Sequence, residues 1–269
     1  MTILSRQEPW GNSFKLLGVV FDPGLYMEEA INGIANRASW RLSTLLRTSR
    51  FYTCIELVNL YKSRVLGFVE SKTAAIYHAA QNQLSRLDQV QSKFLSNLGI
   101  SEADALCSYR LAPLSSRRDM ALLGVIHRAV LGAGPDQFRE YFKPAKTRTH
   151  RGREADRRHD RQWETHRKGK YLEILGNSIL GLVDVYNLLP ANLVKGDSVP
   201  KFQTGLQDYL KQAAMKGTDG WQKTFSPRLA IYAYPLRNAR VANVDGTELG
   251  TTGTDVNNRC ISGWLRFAQ

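Results

Sequence analysis

Nowhere in this 269-residue chain do two aspartates stand side by side. Nucleotidyl-transfer metal sites commonly use an Asp-Asp pair following a strand, so the usual polymerase or nuclease site is missing. Cysteine is scarce too. Cys54, Cys107 and Cys260 are odd in number and far apart, which argues against a disulfide framework and fits a reducing compartment. No apolar run approaches the ~20 residues that span a bilayer. The first twenty residues lack the charged-then-apolar order of a signal peptide. The expected location is therefore intracellular, nucleus or cytoplasm, with no membrane partner.

Other chemistry is absent as well. Gly169-Lys170 has no glycine five residues upstream, as a phosphate loop requires. Gly132-Ala133-Gly134 lacks a third glycine and reads as a helix C-cap. Neither a G-x-S-x-G elbow nor an H-E-x-x-H helix occurs. His150, His159 and His166 are spaced too widely for a ligand set and have no cysteine nearby, so they read as solvated. His78 and His127, on otherwise apolar helices, read as hydrogen-bonded structural residues. No catalytic residue, metal site or cofactor is expected in this chain.

Positive charge, by contrast, is plentiful. The 37 Lys+Arg against 24 Asp+Glu give a net charge of +13. Residues 143–170 alone hold 11 basic and 4 acidic residues. A local excess of that size suits a polyanion, or else a solubilising linker. Trp163 lies inside it, a side-chain type that stacks on unpaired bases.

The pattern elsewhere is mainly helical. Phe14 to Phe21 reads as a buried strand or hairpin, and Asp22-Pro23 as a helix start. Ile31, Ile34, Ala35, Ala38, Leu42 and Leu45 share one helical face, with Trp40 assigned to the core rather than to a base-stacking platform. Thr53-Cys54-Ile55-Glu56 is a capping box. Further helices are expected at 82–98 (ended by Gly99), from a Ser116–Asp119 cap to Gly132, and from Pro135 to Phe142. Two more follow, one stopped by Pro190 and one running from Ser198 to Gly217. The rest reads as loop. The expected organisation is a strand or hairpin at 1–22, a helical bundle at 23–142, a basic linker at 143–170, a small helical part at 171–216 and a loop-rich tail at 217–269.

Four blocks in this order resemble the post-palm part of a non-LTR (LINE-type) retrotransposon reverse transcriptase. Phe14-Lys15-Leu16-Leu17-Gly18-Val19-Val20-Phe21-Asp22 resembles its primer-grip strand. Ala38-Ser39-Trp40-Arg41-Leu42 through Leu60-Tyr61-Lys62-Ser63 is similar to its first thumb helices. Leu87-Asp88-Gln89-Val90-Gln91-Ser92-Lys93-Phe94-Leu95, with Leu111-Ala112-Pro113-Leu114 and Arg117-Arg118-Asp119, resembles the helix and segment that follow. Tyr186-Asn187-Leu188-Leu189-Pro190, with Ser198, Phe202 and Leu206, resembles the closing block, Tyr186 standing where the family usually has Trp. Together the blocks span about residues 14–215.

The resemblance implies a fragment of an RNA-directed DNA polymerase that is not catalytic alone, since any magnesium would belong to a palm outside this chain. The implied partners are RNA or an RNA–DNA template–primer duplex, with an upstream palm and fingers segment. Lys15 and Gly18 would approach the primer terminus, Gly18 because a bare backbone admits another chain. Read without the resemblance, Gly18 is a bulge glycine. Arg37 and Arg41, one turn apart, with Arg47, Arg50, Lys62 and Arg64, would contact duplex phosphates. Arg151, Arg153, Arg157, Arg158, Arg161, Trp163, Arg167, Lys168 and Lys170 complete the expected nucleic-acid-binding set. The alternative is a helical protein–protein interaction module with a basic linker and no catalysis.

Overall fold

Leu17-Gly18 splits the β-prone run at 14–21 in two. In the computed structural model, which describes residues 13–134, 136, 138–145, 159–165, 175–229 and 235–238, strands β1 (Phe14–Leu16) and β2 (Val19–Phe21) pair antiparallel, with Phe14 opposite Phe21 and Leu16 opposite Val19. Both turn residues have positive φ, 49° at Leu17 and 79° at Gly18. A two-residue turn of this hand matches the twist of the strands and favours glycine. Gly18 is thus a turn glycine rather than a bulge in a strand. Lys72 Nζ donates to the Leu17 carbonyl at 3.1 Å and ties the turn to the helices.

The protein is mainly helical after this hairpin. Helix α1 spans Glu28–Arg47 and starts later than the Asp22-Pro23 signal implies. Asp22 caps a loop instead, its carboxylate accepting from Tyr26 N–H at 2.8 Å and Met27 N–H at 2.7 Å. Burial pushes this carboxyl up, but the backbone donors of Met27, Tyr26 and Asp22 itself, together with His78 nearby, outweigh it and hold it below the usual aspartate value. Ile31, Ile34, Ala35, Ala38, Leu42 and Leu45 face inward as their spacing predicts. They meet α5 (Gln81–Leu98), whose Leu84, Leu87, Val90 and Phe94 are buried in the same core and which Gly99 ends at φ 65°.

Between them lie α2 (Cys54–Tyr61), a π-turn (Lys62–Leu66), α3 (Gly67–Glu70) and α4 (Thr73–Ile76). Tyr61 stacks on Phe94 with ring centroids 4.1 Å apart. The Thr53 capping box is complete: Glu56 N–H donates to Thr53 Oγ1, and Glu56 Oε2 accepts from Thr53 N–H at 2.8 Å. Thr53→Ala should cost about 1 kcal/mol and Thr53→Ser much less. Thermal melts of the two variants check this, and equal midpoints would remove the cap from the account.

After α6 (Glu102–Tyr109), α7 spans Leu114–Val130 with Pro113 as its N-cap. The expected cap at Ser116–Asp119 therefore lies inside the helix, and Ser116, Arg118 and Asp119 are buried. Partners distant in sequence explain this: Ser116 Oγ donates to the Gln222 carbonyl at 2.6 Å, and Arg118 pairs with Asp88 at 2.8 Å.

Helix α8 is short, Phe138–Tyr141; Pro135, its expected start, falls outside the described residues. Then come α9 (Ile179–Asn187), α10 (Ala191–Val194) and α11 (Val199–Met215). Helix α7 packs on α9 and α11 around a second core of Leu123, Ile126, Leu182, Tyr186, Phe202 and Leu206. The Gln203 side chain of α11 lies over Gly124, where a Cβ would stand 2.5 Å from its Nε2 and make that amide shift. After Gly217 the described residues 218–229 and 235–238 pack onto this core: Trp221 and Phe225 are buried in it, as is Leu236 of α12 (Pro235–Asn238).

Candidate nucleic-acid interface

The residues expected to contact nucleic acid separate by what their charged groups already touch. Lys15 is exposed on β1, and Gly18 sits in the turn beside it. Arg37 and Arg47 are exposed on the outer side of α1, and Arg50 follows in the 3-10 turn at Ser49–Phe51, its guanidinium 4.7 Å from the Phe51 ring centroid. Arg41 is also exposed, but its guanidinium lies 4.2 Å from the Phe68 ring centroid and donates to the Arg64 carbonyl at 2.9 Å. Arg64 itself is exposed.

Lys62 departs from the expectation. Its ammonium donates to the Tyr109 carbonyl at 2.5 Å and so closes the last turn of α6. Burial, with Arg117 and Arg110 nearby, lowers its pKa. Lys62 is a structural cation that ties the π-turn to α6.

In the basic stretch, Arg151, Arg153, Arg157, Arg158, Arg167, Lys168 and Lys170 lie outside the described residues, as do His150 and His166. The parts that are described form no free linker. Ala145 N–H donates to the Gln162 carbonyl at 2.9 Å and Glu164 N–H to the Lys143 carbonyl at 2.8 Å, so Pro144 pairs with Trp163.

Asn187 then clamps the returning chain. Its Oδ1 accepts from Trp163 N–H and its Nδ2 donates to the Trp163 carbonyl, both at 2.9 Å. The Trp163 ring packs on the second core, edge-on to Phe142, and is no open stacking surface. Arg161 donates to the carbonyls of Val194 at 2.8 Å and Gly196 at 3.2 Å. His159, expected in solvent, is buried and donates from Nε2 to the Tyr186 carbonyl at 3.0 Å. Arg161 and His159 hold the segment in place by supplying donors to carbonyls near the C-terminal ends of α9 and α10.

His127 fits its structural reading. Nε2 meets the Gly196 carbonyl at 3.0 Å, and a carbonyl only accepts, so the proton is on Nε2 and Nδ1 accepts from the Tyr186 hydroxyl at 2.9 Å.

Trp40 is the residue the sequence pattern misplaced. It is 71% exposed, on the same outer face as Arg37 and Arg47. The signal was present, because the buried stripe Ala38, Leu42 and Leu45 turns position 40 away from the core. A second signal is charge. Between Glu29 and Glu56 the chain holds Arg37, Arg41, Arg47 and Arg50 and not one carboxylate. No ion pair among the described residues involves this window. The result is an uncompensated cationic face with an open indole on it.

No family model, curated protein or solved structure matches this chain. No helix among the described residues is long and apolar enough to cross a membrane. Nor do three His, Cys, Asp or Glu side chains cluster among them in a way that could hold a metal ion. What the α1 face offers is monovalent positive charge, planar donors and an aromatic surface.

Proposed function

We propose that this chain binds nucleic acid through the outer face of α1 and the turn after it, as the primer-grip and thumb part of a LINE-type reverse transcriptase holds a template–primer. The observation that carries the reading is the run of arginines between Glu29 and Glu56 with no carboxylate among them. The order of the four sequence blocks supports the same assignment. Arginine guanidiniums on one helix face position a phosphate backbone without reading sequence.

The test is the salt dependence of affinity for an RNA–DNA duplex. Each phosphate neutralised contributes about −0.9 to the slope of log affinity against log salt. Replacing Arg37, Arg47 and Arg50 together by alanine should make the slope shallower by about 2 to 3. An affinity that ignores salt, or a triple variant with the wild-type slope, would overturn the proposal.

One observation favours a second reading, the protein–protein module. Phe14, Leu16 and Leu17 are exposed on the hairpin, Leu17 at 87%. An apolar hairpin that pairs with no third strand among the described residues suits a contact with another polypeptide, and in the leading reading that polypeptide would be the palm and fingers segment. As the sole function, this reading requires that no salt-dependent nucleic-acid affinity be found.

A further inference from the structure

We infer that Trp40 is a stacking platform for an unpaired base, so that α1 holds single-stranded nucleic acid more tightly than its arginines alone would. The inference rests on the nucleic-acid reading above and adds the class of strand that the face prefers.

The argument starts from the surroundings of the indole. Its neighbours one helical turn away on α1 are Asn36, Arg37, Ser43 and Thr44, which are polar and, apart from Arg37, short. They leave the ring standing clear of the surface, and no other ring or guanidinium among the described residues covers it. Thr44 Oγ1 turns back to the Trp40 carbonyl at 3.1 Å and does not shield the ring either.

Cations bracket the ring along the axis. Arg37 lies a turn before it and Arg47 two turns after, about 15 Å apart at 1.5 Å per residue. Phe51, 69% exposed under the Arg50 guanidinium, gives a second flat surface beyond the helix end. Alternating aromatic planes and cations are the pattern that binds single strands, whose bases present their π-faces while their phosphates run alongside. A duplex keeps its bases stacked on each other and offers this helix only phosphates. A protein partner would seat the indole in an apolar patch, and the polar residues around Trp40 do not make one.

The experiment measures affinity of the full chain for three labelled probes: oligouridylate, an abasic ribose-phosphate strand of the same length, and an RNA–DNA duplex. Trp40→Ala and Trp40→Phe are compared with wild type, and circular dichroism melts confirm that both variants fold as wild type does. Trp40→Ala should weaken oligouridylate binding by about 5- to 150-fold. Abasic-strand and duplex affinities and the salt slope should not change, and Trp40→Phe should keep most of the oligouridylate affinity.

If Trp40→Ala leaves oligouridylate binding intact, or weakens all three probes equally, the platform is wrong while the arginine-based proposal stands. If wild type binds none of the probes in a salt-dependent way, both fall. Loss of affinity for a protein partner as the only effect of Trp40→Ala would likewise overturn the inference.

Discussion

Tyr186→Ala should lower the free energy of unfolding by about 3–5 kcal/mol. The ring is fully buried among His127, His159 and Phe202, with centroid separations of 6.2, 5.5 and 5.9 Å. Its removal opens a cavity in the second core where α7, α9 and α11 meet. The hydroxyl adds a separate contribution, because it supplies the hydrogen that His127 Nδ1 accepts. Tyr186→Phe keeps the ring and should cost about 1–3 kcal/mol by leaving that nitrogen unpaired. Denaturant midpoints at constant slope separate the two effects. A Tyr186→Phe variant as stable as wild type would show that the hydroxyl is not bonded to His127.

The second large effect concerns pH. Asp119 lies between the two cores and accepts from the Tyr77 hydroxyl at 2.5 Å. Arg228 approaches the same place, donating to the Tyr77 carbonyl with its guanidinium 4.7 Å from the Tyr77 ring centroid. Burial pushes the Asp119 carboxyl up to about 7. The Tyr77 hydroxyl, Arg228 and Arg118 pull against that shift, and Asp88 adds to it.

An unfolded aspartate releases its proton near pH 3.9, so between about pH 4 and 7 the folded state holds a proton that the unfolded state has lost. Stability from this group is therefore fully present below pH ~4, falls as pH rises, and is level above pH ~7, a change of roughly 4 kcal/mol in all.

His127 slopes the other way. Burial lowers its pKa, with Arg161 adding to the shift and the Gly196 carbonyl opposing it. Its contribution is present above about pH 6.5 and is lost as pH falls. The clean measurement is the difference between wild type and Asp119→Asn, in which the His127 effect cancels. That difference should shift against wild type from pH 4 to 7, and parallel profiles would show that Asp119 does not titrate there.

Local features of the fold were readable in the sequence. The inward stripes of α1, α5 and α11 follow from a period of 3.6, which depends only on which residues lie one turn apart. Thr53, Ser198, Gly99 and Gly217 mark helix ends because caps act within a few residues. Asp22 was misread since its side chain had two local choices, a helix N-terminus or a loop, and the loop donors at Tyr26 and Met27 won.

The candidate site was only half legible. Arg37, Arg47 and Arg50 remain exposed as expected, whereas Lys62, Arg161 and Trp163 are half-buried and bonded within the protein. Lys62 bonds a carbonyl 47 residues away, and Arg161 one 33 residues away. A basic residue in a string of letters looks the same whether its charge faces water or an orphaned carbonyl. Trp40 failed in the opposite sense: its type suggested the core, while its position on the helix already assigned it to solvent.

By itself, then, the sequence determined the inward stripes of the long helices, the hairpin residues and the acid-free arginine window, since each depends on neighbours a few bonds or one turn apart. Only the tertiary structure decided which cations are free and which aromatic ring is open. Those outcomes depend on groups brought together over 24 to 106 residues, such as Trp163 with Asn187 and Ser116 with Gln222. A buried carbonyl or carboxylate without a partner costs more than most surface contacts gain, so packing the two cores buried Arg118, turned Lys62 and Arg161 onto backbone carbonyls, and left Arg37, Arg47 and Trp40 on the surface.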